Sequence, residues 1–540
     1  MFNRIRESAT PRKMLALLTA LTTALGPSVV PAFAASPAPS KKMPIQHIVV
    51  IFNENISFDH YFGTYPVALN PKGEPPFHAK AGTPTVNGLT NALLNNNPNL
   101  NTANGAGATN PFRLDRSQAV TADQDHDYTA EQLGFDMGAM DLFPASMGTA
   151  GPPPSGGGIV DTTGLTMGYF DGNTVTALWN YAQNFAMSDN SFSSTFGPST
   201  PGVINLVSGQ TNGAIKTLNG TGGEVDGGDN SLTVIGDPDP LNDVCSSSTG
   251  GQAQMGSKNI GDLLTADGVT WGSFMGGFNL NIKNPNGTTG CLRSSAGLAG
   301  TTSDYVPHHA FFEYWASTAN PAHTRPKSIA EIGNNGPANH EYDTDDFFDA
   351  VKAGNFPAVN FLKAPAYQDA HAGYSDPIDE QHFVVKVINF LQGQKDWDST
   401  AVVVLYDDSD GWYDHQMSPI VNQSTGPADA LTGPDACGTA TNSLPGIDAG
   451  NPHALGRCGY GPRQPLLVIS PWARQNFVDH TTTDQTSVIR FIEDNWLSGQ
   501  RLPAGSFDGI ASSISQLFDF QKKRSDDGRL ILDPNTGEPR

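Results

Sequence analysis

Short apolar runs separated by stretches of helical periodicity recur along the chain, and the runs are rich in β-branched residues. Gln46 to Phe52 (QHIVVIF) and Ala401 to Tyr406 (AVVVLY) lack the apolar/polar alternation of a half-exposed strand, so they read as strands buried on both faces. Val269 to Phe274, Ala358 to Leu362 and Leu466 to Ile469 read as further strands. Helical spacing marks Val175 to Phe185, which leads into a short strand near Ala186, and also Gly261 to Asp267 and Ile378 to Leu391. It continues over Asp484 to Leu497, with Asp484 as the expected N-cap. Strands that alternate with helices predict an α/β fold, with a mixed or parallel sheet covered on both faces.

Long irregular insertions interrupt this pattern at 80–112, 144–164, 211–258 and 416–460. Core strands resume after each one, so they predict functional loops on one catalytic domain, residues 35–540, rather than linkers between domains. The first residues have the order of an export signal. Arg4, Arg6, Arg12 and Lys13 form a basic region, Met14 to Leu25 is apolar but too short to span a bilayer, and Ala32-Phe33-Ala34 is a small-x-small cleavage site. Residues 1–34 are therefore expected to be removed on export by the general secretory route, placing the protein outside the cell or in the periplasm. No later segment reads as a transmembrane span. The four cysteines suit that compartment. They allow three pairings, of which loop closure favours Cys245–Cys291 and Cys437–Cys458.

A formal charge of -23 argues against a nucleic-acid partner, which would require a basic footprint. If the substrate is an anion, local positive charge must come from the site itself, and a metal ion is a ready source. In an open α/β sheet ligands sit beyond the carboxyl ends of the strands. Glu54 and Asn55 lie just past QHIVVIF, and Asp407-Asp408 directly follows AVVVLY. Two acidic clusters brought to one edge would repel each other, and a bound divalent cation gives them a reason to converge. The turn Phe196-Gly197-Pro198-Ser199-Thr200-Pro201-Gly202 fixes its backbone with Gly and Pro on both sides of a small hydroxyl. The pattern from Val203 to Val207 suggests a helix whose N–H groups face a phosphate.

The segment MPIQHIVVIFNENISFDHYFGTYP resembles the opening of the bacterial phospholipase C/acid phosphatase phosphoesterases. YDDSDGWYDH at 406–415, YGPRQPLLVISPWAR at 460–474 and TDQTSVIRFIEDNW are similar to later motifs of that family, so the likeness runs from residue 44 to about 520. The resemblance implies the three-layer α/β/α sandwich of the alkaline phosphatase superfamily. It also implies a metal held by Glu54, Asn55, Asp407, Asp408 and Ser199, with Ser199 as nucleophile. By local context His126, His308, His309 and His371 match the histidines that bind or protonate the phosphate in the acid phosphatase branch. Where the family carries Arg after Glu-Asn, this chain has Ile56. Asp59 and His60 lie within the motif and are expected to hold the Glu54 loop through a buried polar network.

The substrate expected from the resemblance is a phosphate monoester, because SDNSFSSTFGPSTPG is similar to the acid phosphatase branch. A phospholipase C acting on phosphatidylcholine-type diesters is the alternative, so the partner is a small phosphate ester or a phospholipid head group. An oxygen-rich ligand set leans toward Ca or Mg, with Zn also open. A sulfatase is disfavoured, since no cysteine stands in C-x-P-x-R. A non-catalytic surface or adhesion protein is the reading from a different class.

Overall fold

A computed structural model describes residues 43–540, except 149–160, 219–222, 229, 434–435, 439–445, 448–453 and 525–527. The export-signal segment at 1–34 lies outside the described residues. The buried runs form a nine-stranded sheet. Its strands are β1 (His47–Asn53), β2 (Ala186–Phe192), β3 (Trp271–Met275), β4 (Glu341–Asp343), β5 (Val359–Lys363), β6 (Thr400–Tyr406), β7 (Arg463–Ile469), β8 (Phe477–Asp479) and β9 (Thr483–Asp484). The order is β4-β3-β5-β1-β6-β7-β2-β8, with β9 also paired to β2. Only β7 runs against the others, so the sheet is mixed, as expected.

Every residue of β5, β6 and β7 is buried, as is β1 after His47, which requires cover on both faces. Two groups of helices provide it. Ser199–Ser208 packs with Ile260–Ala266 and Thr486–Trp496, while Thr176–Asn184 packs with Pro377–Gln392. The architecture is the expected α/β/α sandwich with long insertions.

Three local expectations change. The helix expected to open at Val203 begins at Ser199, because Pro201 in the first turn loses no hydrogen bond by lacking an N–H. Asp484 is not the N-cap: Gln485 holds that position, and the Asp484 carboxylate accepts from the N–H of Thr486 at 3.2 Å. The insertion at 211–258 is not irregular, since it contributes the strands of a separate five-stranded sheet. Its longest strand, Asn212–Leu218, is exposed over its second half, so no apolar run announced it. The disulfides are Cys245–Cys291 and Cys437–Cys458, the pairing that loop closure favours.

Candidate active site

Strand order decides which residues meet. β5, β1 and β6 are parallel neighbours, with Ile51 opposite Leu362 and Asn53 opposite Tyr406. Their carboxyl ends therefore set Lys363, Glu54-Asn55 and Asp407-Asp408 side by side, all buried. Asn55 takes a left-handed backbone conformation, φ 60°, which Asn tolerates better than most residues. That bend lets its N–H donate to Asp407 Oδ1 at 2.9 Å, while the Ile56 N–H donates to the Asp408 carbonyl at 2.9 Å. Ile56 itself lies in the core.

Ser199 reaches this edge from β2 through the 193–198 turn. Its helix settles on the Asp407 backbone so closely that a Cβ at Gly202 would stand 2.4 Å from the Asp407 carbonyl oxygen, which explains glycine there. Ser199 Oγ lies 2.9 Å from Glu54 Oε2 and 3.1 Å from Asp408 Oδ2. The expected meeting of hydroxyl and acidic clusters is therefore observed. The helix N-terminus differs from the reading, because the Thr200 N–H donates to Asp237 Oδ1 at 2.8 Å instead of standing open to an anion.

Imidazoles surround this core. His309 Nδ1 is 3.3 Å from Glu54 Oε1, and its Nε2 is buried without a hydrogen-bond partner among the described residues. Burial first, then the neighbouring His308, keep His309 well below the ordinary histidine pKa. His126 Nε2 is 3.2 Å from Asn55 Nδ2 and 4.0 Å from Asp408 Oδ2. Burial opposes its charge, yet Asp408, Asp410 and Asp123 together raise its pKa well above the usual value. His371 meets His126 edge to face, with centroids 6.0 Å apart, and burial lowers its pKa. His308 turns toward Asp239, 3.7 Å away, and is the most exposed of the four.

Several site residues escaped the sequence reading. Lys363 Nζ contacts Glu54 Oε1 and lies 3.2 Å from Asp407 Oδ2, a buried ammonium between two carboxylates. It ends a strand, so the strand-end rule would have found it. Asp369 joins Glu54 and His309, and Asp410 joins His126 and His371, each trio offering ligand atoms within 4.8 Å of one another. Asp410 stands in an acid-rich stretch, where spacing alone does not choose among the aspartates, and Asp369 lies in the loop beyond Lys363, where no strand end marks it. The network expected around Asp59 is present: Arg463 contacts Asp59 and Asp414, and His415 Nδ1 lies 2.6 Å from Asp59. His60 stacks on Trp412, and burial lowers its pKa to about 3.

The donor set fits a divalent cation. Glu54, Asp407 and Asp408 bring three buried carboxylates against one ammonium, and Asn55 Oδ1 is buried with no hydrogen-bond partner among the described residues. Together with Ser199 Oγ these are all oxygen donors, which suit a hard ion.

Fold and cluster define the class: an α/β/α protein with a buried, oxygen-rich cluster at the carboxyl ends of its parallel strands. The chain belongs to the phosphoesterase family, whose model matches residues 45–497. It is a hydrolase acting on phosphoric ester bonds, which sets aside the adhesion reading. Phospholipase C A of Mycobacterium tuberculosis is 24% identical over 507 residues, covering 92% of this chain and 81% of that protein. The non-hemolytic phospholipase C of Pseudomonas aeruginosa is 25% identical over 487 residues, 88% of this chain but 58% of that longer protein. A Vibrio parahaemolyticus structure described as a member of the alkaline phosphatase superfamily covers 81% of this chain and 82% of its own at 12% identity. Its TM-score of 0.27 is too low to bear on the assignment. No helix among the described residues is long and apolar enough to cross a membrane.

Proposed function

We propose that the protein is an exported, metal-dependent phosphatase that hydrolyses phosphate monoesters through a phosphoserine intermediate on Ser199. The observation that carries this reading is the placement of Ser199 Oγ within hydrogen-bond distance of both Glu54 and Asp408. Ser199 Oγ attacks phosphorus as one of these carboxylates accepts its proton. His126, which its carboxylate neighbours keep protonated, gives a proton to the departing alcohol as the P–O bond breaks. Neutral, it then takes a proton from the water that attacks phosphoserine, and Ser199 Oγ leaves with its proton restored. His309, 3.3 Å from Glu54, and His371, edge to face with His126, would donate hydrogen bonds to phosphate oxygens, and His308 is the most exposed of the four. Glu54, Asn55, Asp407, Asp408 and Ser199 would hold the divalent cation. When bound, that ion supplies a Lewis acid that favours the serine alkoxide and offsets phosphate charge.

The test is Ser199→Ala assayed with p-nitrophenyl phosphate, together with acid-quenched mass spectrometry of the wild-type protein during turnover. Loss of turnover in a folded variant and a phosphate adduct on the Ser199 peptide are expected. A variant as active as wild type would refute the nucleophile. Dialysis against a chelator should abolish activity, and add-back of Ca, Mg or Zn should restore it with one ion preferred.

Phospholipase C activity is the second reading. It is favoured by the names of the relatives and by Asp237 and Asp239 beside His308, which suit a cationic head group. Faster cleavage of p-nitrophenylphosphorylcholine than of p-nitrophenyl phosphate would select it.

A further inference from the structure

We infer that Glu131 is a positioning residue for the reaction, a single carboxylate that locks the Ser199 turn to the Asp408 loop; this rests on the assignment of Ser199 as nucleophile. Glu131 is fully buried in the helix Tyr128–Phe135, and it hydrogen-bonds to the segments that carry Ser199 and Asp408. Its Oε2 accepts the Gly197 N–H at 2.9 Å, and its Oε1 accepts the Ser409 hydroxyl at 2.7 Å. Gly197 lies two residues before the nucleophile, and Ser409 is the residue after Asp408. The two hydrogen bonds span 66 and 278 residues of chain and converge on one side chain.

The clamp acts on bent backbone at both ends. Gly197 has φ 116°, a region that glycine populates and other residues rarely do. The Ser409 hydroxyl in turn accepts the Gly411 N–H at 3.1 Å, and Asp410, between them, has φ 53°. The helix is itself braced from outside: Gln132 Oε1 accepts the N–H groups of Ala430 and Leu431, at 2.9 and 3.0 Å. His126 enters the site just upstream of this helix. The helix therefore refers nucleophile, acidic loop and imidazole to one rigid element, and the 3.1 Å contact of Ser199 with Asp408 is the distance it fixes.

Burial raises the Glu131 pKa to about 7. A protonated carboxyl still accepts from the Gly197 N–H, so the clamp works in acid as well as at neutral pH. Glutamine preserves the same acceptor, aspartate falls one methylene short of spanning both partners, and alanine removes them.

The experiment measures kcat and KM of Glu131→Gln, Glu131→Asp and Glu131→Ala on p-nitrophenyl phosphate, with thermal unfolding and bound metal recorded for each. Misplacement of reacting groups by about 1 Å costs on the order of 100-fold in rate. Glu131→Ala is therefore expected to lose on the order of 100-fold in kcat with KM within about 2-fold. Glu131→Asp should lose about 10-fold and Glu131→Gln less than about 3-fold, with metal content unchanged throughout. Wild-type kcat in Glu131→Asp and Glu131→Ala would overturn the proposal, as would losses in KM alone or a Gln variant as impaired as Ala. If Glu131→Ala does not fold, the Asp-against-Gln contrast decides by the same criterion. Ser199→Ala separates the two readings: full activity there removes the nucleophile assignment itself, whereas an inactive Ser199→Ala beside unimpaired Glu131 variants removes only the clamp.

Discussion

Ser199 Oγ and Glu54 Oε2 stand 2.9 Å apart although 145 residues separate them in the chain. One follows β2 and the other follows β1, and those strands are not neighbours: β6 and β7 lie between. The turn after β2 must carry the serine back across two strands, and the hydroxyl ends between Glu54 and Asp408.

In the mechanism proposed for Ser199, that bridging geometry gives Asp408 a direct role. Asp408→Asn keeps the shape but removes the charge that faces Ser199 at 3.1 Å. The expected loss is about 100- to 1000-fold in kcat, by analogy with the removal of one electrostatic group from a dry site. Steady-state kinetics on p-nitrophenyl phosphate checks it, and a loss below about 3-fold would contradict the role.

Lys363 makes a separate prediction about the metal-free protein. Its ammonium is the cation between Glu54 and Asp407, so Lys363→Met leaves two buried carboxylates without it. Removing one partner of a buried ion pair costs about 3–5 kcal/mol. A divalent cation should return part of that loss, so the variant's melting temperature should depend on added chelator more strongly than that of the wild type. Equal chelator effects in the two proteins would show that Lys363 does not stabilise the site.

Acidic pH should favour the fold. Glu380 accepts hydrogen bonds from Asn53, Tyr61 and Tyr406, yet its burial raises its pKa to about 7, and Glu131 behaves alike. The folded state then binds more protons than the unfolded state between about pH 4.5 and 7, so stability falls as pH rises through that window. The loss for one such group is on the order of 2 kcal/mol. Denaturant unfolding at pH 5 and pH 7.5 should show it, and Glu380→Gln should flatten the slope. A wild-type protein more stable at pH 7.5 would contradict the assignment.

The sequence alone determined the long apolar strands β1, β5, β6 and β7, because an apolar run without alternation is a local signal that needs no knowledge of its neighbours. The short buried strands β4 and β9 gave no such signal. The sequence also determined what stands at the ends of the long strands, which is why Glu54, Asn55, Asp407 and Asp408 were legible. The Ser199 turn was legible as a rigid bend, though not as the start of a helix. Tertiary structure decided the rest. Which strand ends become adjacent depends on sheet order, and sheet order placed Lys363 between Glu54 and Asp407. Glu131 carries no local mark, since a glutamate in a helix looks solvent-facing until packing buries it against Gly197 and Ser409. Asp410 was indistinguishable from the acids beside it, and Asp369 lies in a loop that no strand end marks. Periodicity records which face of an element is buried, whereas convergence across hundreds of residues exists only once the elements have packed.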